Sequence, residues 1–148
     1  MLYLDSSAWV RLFLQEANFA AVRAYVAQAE DRICYELGYV EVRAALGAAH
    51  RAGRIDDSAH TRVKDMFAAE WLKSSVVGTD DDLIQRGCGI AENGGLRGYD
   101  AVHLAAAERV RLSGFMDIEL LSFDKDLVRA ARMLGIRCVD LPAKGVAR

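Results

Sequence analysis

Five short apolar runs alternate with longer stretches of helical periodicity along the whole chain. The intervening helical patterns are long enough to act as crossover connections, which favour a mostly parallel sheet with helices on both faces. The pattern therefore predicts an α/β fold. The strand-like runs lie at residues 1–4, 32–35, 75–78, 118–123 and 136–139. The helical patterns lie at residues 7–14, 18–29, 36–52, 57–73, 80–92, 99–112 and 125–134.

Length and composition predict one globular domain over residues 1–148, with a frayed tail at residues 142–148. A chain of 148 residues with 53% hydrophobic and 27% charged residues can bury a core and is too apolar to be disordered. No apolar run approaches the roughly 18 residues that cross a bilayer. The opening MLYLDSSAWV also lacks the basic segment of a secretory signal. We therefore expect a cytoplasmic protein without membrane contact.

The charge balance argues against tight non-specific binding of nucleic acid, and the cysteines argue against a zinc site. A net charge of −2 is not the basic footprint of a protein that grips nucleic acid by neutralising phosphates alone. An enzyme whose bound metal supplies local positive charge stays compatible with it. Cys34, Cys88 and Cys138 are far apart and form no CxxC pair. We expect reduced thiols that pack as small apolar residues, and no zinc site.

Four acidic residues lie in otherwise apolar stretches. Burying an isolated carboxylate costs several kcal/mol unless something compensates. Hard divalent cations take oxygen ligands, so four converging carboxylates would hold such a cation and favour a metal-dependent nuclease. The four are Asp5 in YLDSSAW, Glu41 in YVEVRAAL, Asp100 in GYDAVHLAAA and Asp124 in LLSFDKDL.

Three of these acids also have a purely structural explanation. Asp5 and Asp124 each follow a predicted strand and begin a helix, where aspartate caps the helix N-terminus. Asp100 falls in the first turn of its helix and complements the helix dipole. Ligands of open α/β sheets bind outside the carboxyl ends of strands, however, which is where Asp5 and Asp124 fall. If the first and fourth strands are neighbours, these two side chains meet.

Glu41 is the hardest of the four to explain structurally. It shares a helical face with Leu37, Ala44 and Ala48, so a core-like surface surrounds it. A glutamate there either pairs with a cation or coordinates a metal, and Arg43 points to another side of the helix.

Two neighbouring residues are weaker candidates for a supporting role. Asp126 is a possible fifth acid, but it is explained equally well as an exposed helix residue. His103 follows Asp100 by one turn and could hydrogen-bond a metal ligand, although a histidine satisfied at the core edge is the simpler interpretation. The chain has no GxxxxGK[ST], GxGxxG or GxSxG motif, so nucleotide cradling and serine hydrolysis lack support.

The chain resembles the PIN-domain ribonucleases, specifically the small toxin subunits of VapBC-type toxin–antitoxin pairs. Four blocks carry the resemblance in order and at family-like spacing, and they cover essentially the whole chain. One departure is Tyr99, where many members have an aliphatic residue. The blocks are LDSSAWVRLFLQE, ELGYVEVRAAL, LRGYDAVHLAAA and LLSFDKDL.

The resemblance implies a three-layer fold with a central parallel five-stranded sheet in the order 3-2-1-4-5. It implies that Mg²⁺ or Mn²⁺ is bound through Asp5, Glu41, Asp100 and Asp124, with Ser7 against the metal site. It further implies a homodimeric endoribonuclease toxin that cuts specific structured RNA and is neutralised by a cognate antitoxin. In-line attack by a metal-activated water would leave a 5′-phosphate and a 3′-hydroxyl. Candidates to guide the RNA are Arg11, Arg43, Arg97 and Lys125, although solvated helix faces explain most of them.

Three other functions fit part of the sequence. A metal-dependent phosphatase also places an aspartate after its first strand, but haloacid-dehalogenase-like enzymes need a second acid where this chain has Ser7. An inert α/β interaction module would use the acids only as helix caps and would bind no metal. A DNA nuclease would share the metal site, since one sequence gives no reading of 2′-hydroxyl recognition.

Overall fold

The computed structural model describes residues 1–141, and the tail predicted at residues 142–148 lies outside the described residues. Strands and helices alternate through these residues, apart from three places where helices follow one another directly. In chain order the elements are β1 (Leu2–Leu4), α1 (Ser6–Phe13), α2 (Phe19–Val26), β2 (Arg32–Tyr35), α3 (Leu37–Arg51), α4 (Asp57–Trp71), β3 (Ser75–Val77), α5 (Asp81–Gly94), α6 (Gly98–Leu112), β4 (Glu119–Leu121), α7 (Lys125–Met133) and β5 (Arg137–Cys138).

All five strands pair in parallel, in the order β3-β2-β1-β4-β5. The α/β class and the strand order implied by the family resemblance are therefore confirmed. The first strand lies at the centre, with Tyr3 opposite Ile33 of β2 and Leu4 opposite Leu121 of β4. Since parallel strands end at the same edge of a sheet, the residues that follow β1 and β4 emerge side by side.

The alternation of side chains along β1 divides the core into two halves. Leu2 and Leu4 pack with Trp9 and Phe67 on the face covered by α1 to α4. Tyr3 points to the opposite face and packs with the cluster that α5, α6 and α7 supply. Both faces of the central strand are thus buried, as expected for a parallel sheet.

Helix α6 packs unusually close to α5. A Cβ atom added to Gly87 of α5 would lie 2.8 Å from Cγ2 of Val102, which is nearer than real carbon contacts allow. The α6 face toward the core is alanine-rich, with Ala101, Ala105 and Ala106 buried. Small residues on both helices let α6 settle against the sheet, and this position carries Asp100 and His103 to the edge where β1 ends.

Two expectations about local structure are wrong. The strand predicted at residues 118–123 ends at Leu121, because Ser122 turns away to hydrogen-bond Asp5 and the Asp124 backbone. Cys88 is exposed rather than packed, while Cys34 is buried and Cys138 is half-buried. The buried face of α5 runs through Leu83, Gly87 and Ile90, and Cys88 lies one residue, or about 100°, off it. Within residues 1–141, no helix is both long enough and apolar enough to span a membrane.

Candidate metal centre

Asp5 is a carboxylate buried at the carboxyl end of the central strand. Its residue is 5% exposed, and its side chain caps α1 by accepting a hydrogen bond from the Ser7 backbone N–H. Oδ2 also accepts hydrogen bonds from Ser7 Oγ at 2.6 Å and from Ser122 Oγ at 2.9 Å. Three donors on one oxygen compensate for burial of the charge. In residues 1–141, nothing donates a hydrogen bond to the other oxygen, Oδ1, which faces His103 Nδ1 at 3.8 Å.

Two serine hydroxyls join the start of α1 to the loop after β4. Each donates to Asp5 and also accepts a backbone N–H: Phe123 donates to Ser7 Oγ at 2.9 Å, and Asp124 donates to Ser122 Oγ at 3.1 Å. The loop that carries Asp124 is thereby fixed relative to Asp5. The sequence singled out Ser7 but not Ser122, whose one signal was its place beside Asp124 at the predicted strand end.

His103 lies between Glu41 and Asp5. It is buried on α6, and its Nε2 lies 2.8 Å from Oε2 of Glu41 on α3. Its Nδ1 is buried without a hydrogen-bond partner in the described part of the chain. The ring also contacts Tyr35 edge-to-face, with centroids 5.2 Å apart. His103 is therefore the contact that connects the Glu41 helix to the Asp5 strand.

Opposing effects set the ionisation of this pair. Burial alone raises the pKa of Glu41, but the hydrogen bond and charge of His103, with help from Ser6 and Arg97, lower the pKa below its usual value. Burial likewise lowers the pKa of His103, yet the Glu41 hydrogen bond and the charges of Asp5, Glu41 and Asp100 raise it overall. Glu41 is thus held in its ionised, acceptor form.

Asp100 and Asp124 share one arginine. Asp100 lies in the first turn of α6, and Arg97 Nε donates to its Oδ2 at 2.7 Å. The same guanidinium donates through Nη2 to Oδ2 of Asp124 at 3.2 Å. Asp124 meanwhile caps α7, since its Oδ1 accepts the backbone N–H groups of Asp126 and Leu127. The capping explanation for Asp124 is correct, and it leaves Oδ2 directed to the shared arginine.

The four acids are grouped at one edge of the sheet around two basic side chains. The charges of Asp5, Glu41 and Asp100 raise the pKa of His103, and those of Asp100 and Asp124 raise the pKa of Arg97. Among residues 1–141, no three His, Cys, Asp or Glu side chains are drawn together closely enough to hold a metal as they stand. Asp126 lies at the rim, where it forms an ion pair with Arg129 at 3.1 Å.

The donor set fits Mg²⁺ or Mn²⁺ in its chemistry. Carboxylate oxygens are the ligands that such hard cations prefer, and within the described chain Asp5 Oδ1 accepts no hydrogen bond. The Arg97 guanidinium shows that the space between Asp100 and Asp124 accepts positive charge. Bringing three carboxylates onto one ion would require side-chain movements at Glu41, Asp100 and Asp124, which are all partly exposed.

The other basic candidates each make contacts of their own. Arg11 stacks on the Phe123 ring at 3.8 Å, and Arg43 donates to the Tyr39 hydroxyl. Lys125 follows Asp124 and lines a cavity of about 570 Å³. The cavity begins at Ser122 and Asp124 and continues along one face of α7, with lining residues that include Phe123, Lys125, Val128, Arg129, Arg132 and Met133.

Sequence comparison identifies relatives over nearly the full chain. Residues 2–133 match the PIN domain family. The chain is 30% identical over 137 residues to Ribonuclease VapC45 of Mycobacterium tuberculosis, a match that covers 93% of each protein. Ribonuclease VapC49 of the same species matches with the same identity and coverage.

Solved structures with the same fold include toxins. VapC20 of Mycobacterium tuberculosis, described as a sarcin-ricin loop cleaving toxin, superposes with a TM-score of 0.65 at 19% identity and covers 88% of this chain and 95% of its own. A toxin–antitoxin complex from Klebsiella pneumoniae contains a chain with a TM-score of 0.62 at 16% identity, covering 85% of this chain and 89% of its own. At these identities the likeness shows the fold, while the sequence match shows descent. The chain belongs to the PIN domain family, and the relatives it matches in sequence are VapC ribonucleases.

Proposed function

We propose that this protein is a metal-dependent endoribonuclease toxin that hydrolyses phosphodiester bonds of RNA. The observation that carries the proposal is Asp5, a carboxylate buried at the end of the central strand. Its Oδ1 accepts no hydrogen bond within residues 1–141, and three further acids lie at the same edge of the sheet. Membership of the PIN domain family and the relationship to VapC ribonucleases support the reaction class. A helix cap alone would not need the other three acids at the same edge.

Asp5, Glu41 and Asp100 would hold Mg²⁺ or Mn²⁺. When bound, the ion supplies Lewis-acid charge at the scissile phosphate and lowers the pKa of a water. The protein's own groups orient the reaction: Ser7 and Ser122 fix Asp5, and His103 holds Glu41. Asp124 would orient the attacking water as a hydrogen-bond acceptor or hold a second ion. In-line attack leaves a 5′-phosphate and a 3′-hydroxyl.

The cavity beside Asp124 is the natural path for an RNA strand. Its walls combine basic groups, Lys125, Arg129 and Arg132, with the apolar Phe123 and Met133. Cations neutralise phosphates and apolar surfaces receive bases. One structural neighbour is described as cleaving the sarcin-ricin loop, which supports a structured RNA as the target.

Regulation and assembly follow from the same relationship. The fold is shared with a chain of a toxin–antitoxin complex, so we propose that a cognate antitoxin neutralises the enzyme in the cytoplasm. Leu112, Phe115 and Met116, at the C-terminal end of α6 and just beyond it, are exposed apolar residues. A homodimer that covers them would remove this surface from water.

The test is cleavage of total cellular RNA by the purified protein, with Mn²⁺ or with EDTA, followed by mapping of new 5′-phosphate ends. Asp100→Asn removes one proposed ligand and should abolish cutting while the circular dichroism spectrum stays unchanged. Asp65→Asn, an equivalent change at an exposed position of α4, should cut like wild type. Near-full activity of Asp100→Asn would make the metal-site assignment wrong. Cutting of single-stranded DNA but not RNA would instead identify a DNA nuclease.

A further inference from the structure

Arg97 forms ion pairs with two of the four acids of the candidate metal centre. It immediately precedes α6, and its guanidinium reaches Asp100 on that helix and Asp124 at the start of α7. The two carboxylates come from separate elements, 24 positions apart in the sequence. Another exposed arginine, Arg129 of α7, pairs with the single carboxylate of Asp126 within its own helix.

The contacts of Arg97 involve the oxygens that a metal would need. It bonds Oδ2 of Asp100 and Oδ2 of Asp124, while Oδ1 of Asp124 is committed to capping α7. A divalent ion binds a carboxylate oxygen at about 2.0–2.2 Å and repels a neighbouring guanidinium. A metal held by Asp100 would therefore lie next to the guanidinium, and Asp124 Oδ2 cannot reach a water or a second ion while Arg97 holds it.

The Arg97 side chain is also free to leave. It is 78% exposed, and beyond the two aspartates no hydrogen bond or ion pair holds it within residues 1–141. A side chain of this kind can swing into solvent without opening the core. Its ion pairs are exposed and individually weak, so they lower the affinity for the metal without preventing it from binding.

We propose that Arg97 is a resident counter-ion of the centre, which pairs with Asp100 and Asp124 in the metal-free protein, offsets one of their two negative charges, and is displaced when the divalent ion binds. This inference rests on the proposed metal-dependent function. In this role Arg97 competes with the divalent ion and so raises the metal concentration at which the ion binds.

Isothermal titration of Mn²⁺ into the full-length protein tests the exchange without relying on activity. Arg97→Gln should bind Mn²⁺ about three- to tenfold more tightly than wild type, because the metal no longer displaces two weak ion pairs. Arg129→Gln is the matched control, since it removes the same charge from a nearby pair and should stay within twofold of wild type. Arg97→Lys keeps the charge but loses the planar guanidinium that bonds both carboxylates. Its dissociation constant should fall between those of wild type and Arg97→Gln.

Three outcomes overturn the exchange. An unchanged or weaker affinity in Arg97→Gln would show that the arginine does not compete with the metal. An equal gain in Arg129→Gln would reduce the effect to net charge. If wild type binds Mn²⁺ and cuts RNA in either case, the proposed function stands while this inference fails; if neither wild type nor Arg97→Gln binds Mn²⁺, both fail. Circular dichroism of each variant confirms that the fold is retained.

Discussion

At the scale of single residues, the centre depends on how the protein orients the buried Asp5 carboxylate. One carboxylate oxygen takes hydrogen bonds from two hydroxyls and a backbone N–H. Each hydroxyl has a second bond to the loop after β4, so neither can rotate away without losing two partners. The contacts to Oδ2 consequently orient the other oxygen, Oδ1, toward His103.

Removing one of these hydroxyls should therefore affect both stability and catalysis. Ser122→Ala takes a donor from a buried carboxylate and leaves the Asp124 N–H without its acceptor, which should cost about 1–3 kcal/mol in the free energy of unfolding. RNA cleavage should fall by at least tenfold as Asp5 loses its orientation. Urea unfolding and initial cleavage rates measure the two effects.

Ser113→Ala provides the control for this change. Ser113 Oγ donates to the exposed Arg109 carbonyl at the end of α6, and water can replace that bond. Its free energy of unfolding should change by less than about 0.5 kcal/mol. Equal losses in the two variants would argue against a special role for the Ser122 contacts.

The sequence identified the four acids and named His103 and Arg97 near them, but it did not predict that Arg97 joins two of the acids. Asp5, Glu41, Asp100 and Asp124 are visible because a charge within an apolar stretch contradicts its surroundings. Arg97 stands three residues before Asp100, so one ion pair could be expected from helix spacing. Its second partner, Asp124, depends on β4 lying beside β1, and local sequence does not determine which distant strands pair. That these acids bind a metal stays a prediction.

At the scale of helices and strands, periodicity predicted every element of the described chain and misplaced some of their ends. The end of β4 differs because the Ser122 side chain competes with the backbone pattern. Strand order is a different matter, since the alternation indicates parallel pairing but not the sequence of neighbours. The order 3-2-1-4-5 came from the family resemblance alone.

The crossing of α5 and α6 leads to a prediction about packing. Gly87→Ala would place a methyl group against the stiff Val102 side chain, with the Val102 Cα only 3.4 Å away. The helices must move apart, which should cost about 1–3 kcal/mol of unfolding free energy and displace α6 with Asp100 and His103. Urea unfolding measures the stability, and RNA cleavage reports the displacement.

Gly89 offers a control two residues away on the same helix. A Cβ added there meets nothing within 4 Å, so Gly89→Ala should raise the unfolding free energy by roughly 0.5–1 kcal/mol through improved helix propensity. Opposite signs for the two substitutions are the expected result. A stabilising Gly87→Ala would mean that the helices are less tightly packed than their geometry indicates.

At the scale of the whole molecule, the metal should act as a ligand of the folded state alone, because the four acids are far apart in the unfolded chain. Mn²⁺ at about 100 times its dissociation constant should add about 2.7 kcal/mol of stability. This corresponds to a rise in Tm of roughly 5–10 °C for a chain of this size. Differential scanning calorimetry with Mn²⁺, and then with excess EDTA to remove it, measures the shift and its reversal.

Asp100→Asn should lose most of that rise, and Asp65→Asn should keep it. No shift in wild type at millimolar Mn²⁺ would count against four cooperating carboxylates and favour the inert interaction module. A shift of equal size in Asp100→Asn would place the ion somewhere other than this centre.

The central position of β1 has a consequence for synthesis on the ribosome. The strand is made first, yet its partner β4 and the residue Asp124 come more than 110 residues later. At 5–20 residues per second, this delay lasts on the order of ten seconds. Through that interval the nascent chain carries Asp5 without the strand that aligns it. A centre that includes Asp124 therefore cannot be completed on the ribosome until β4 and the start of α7 have been translated.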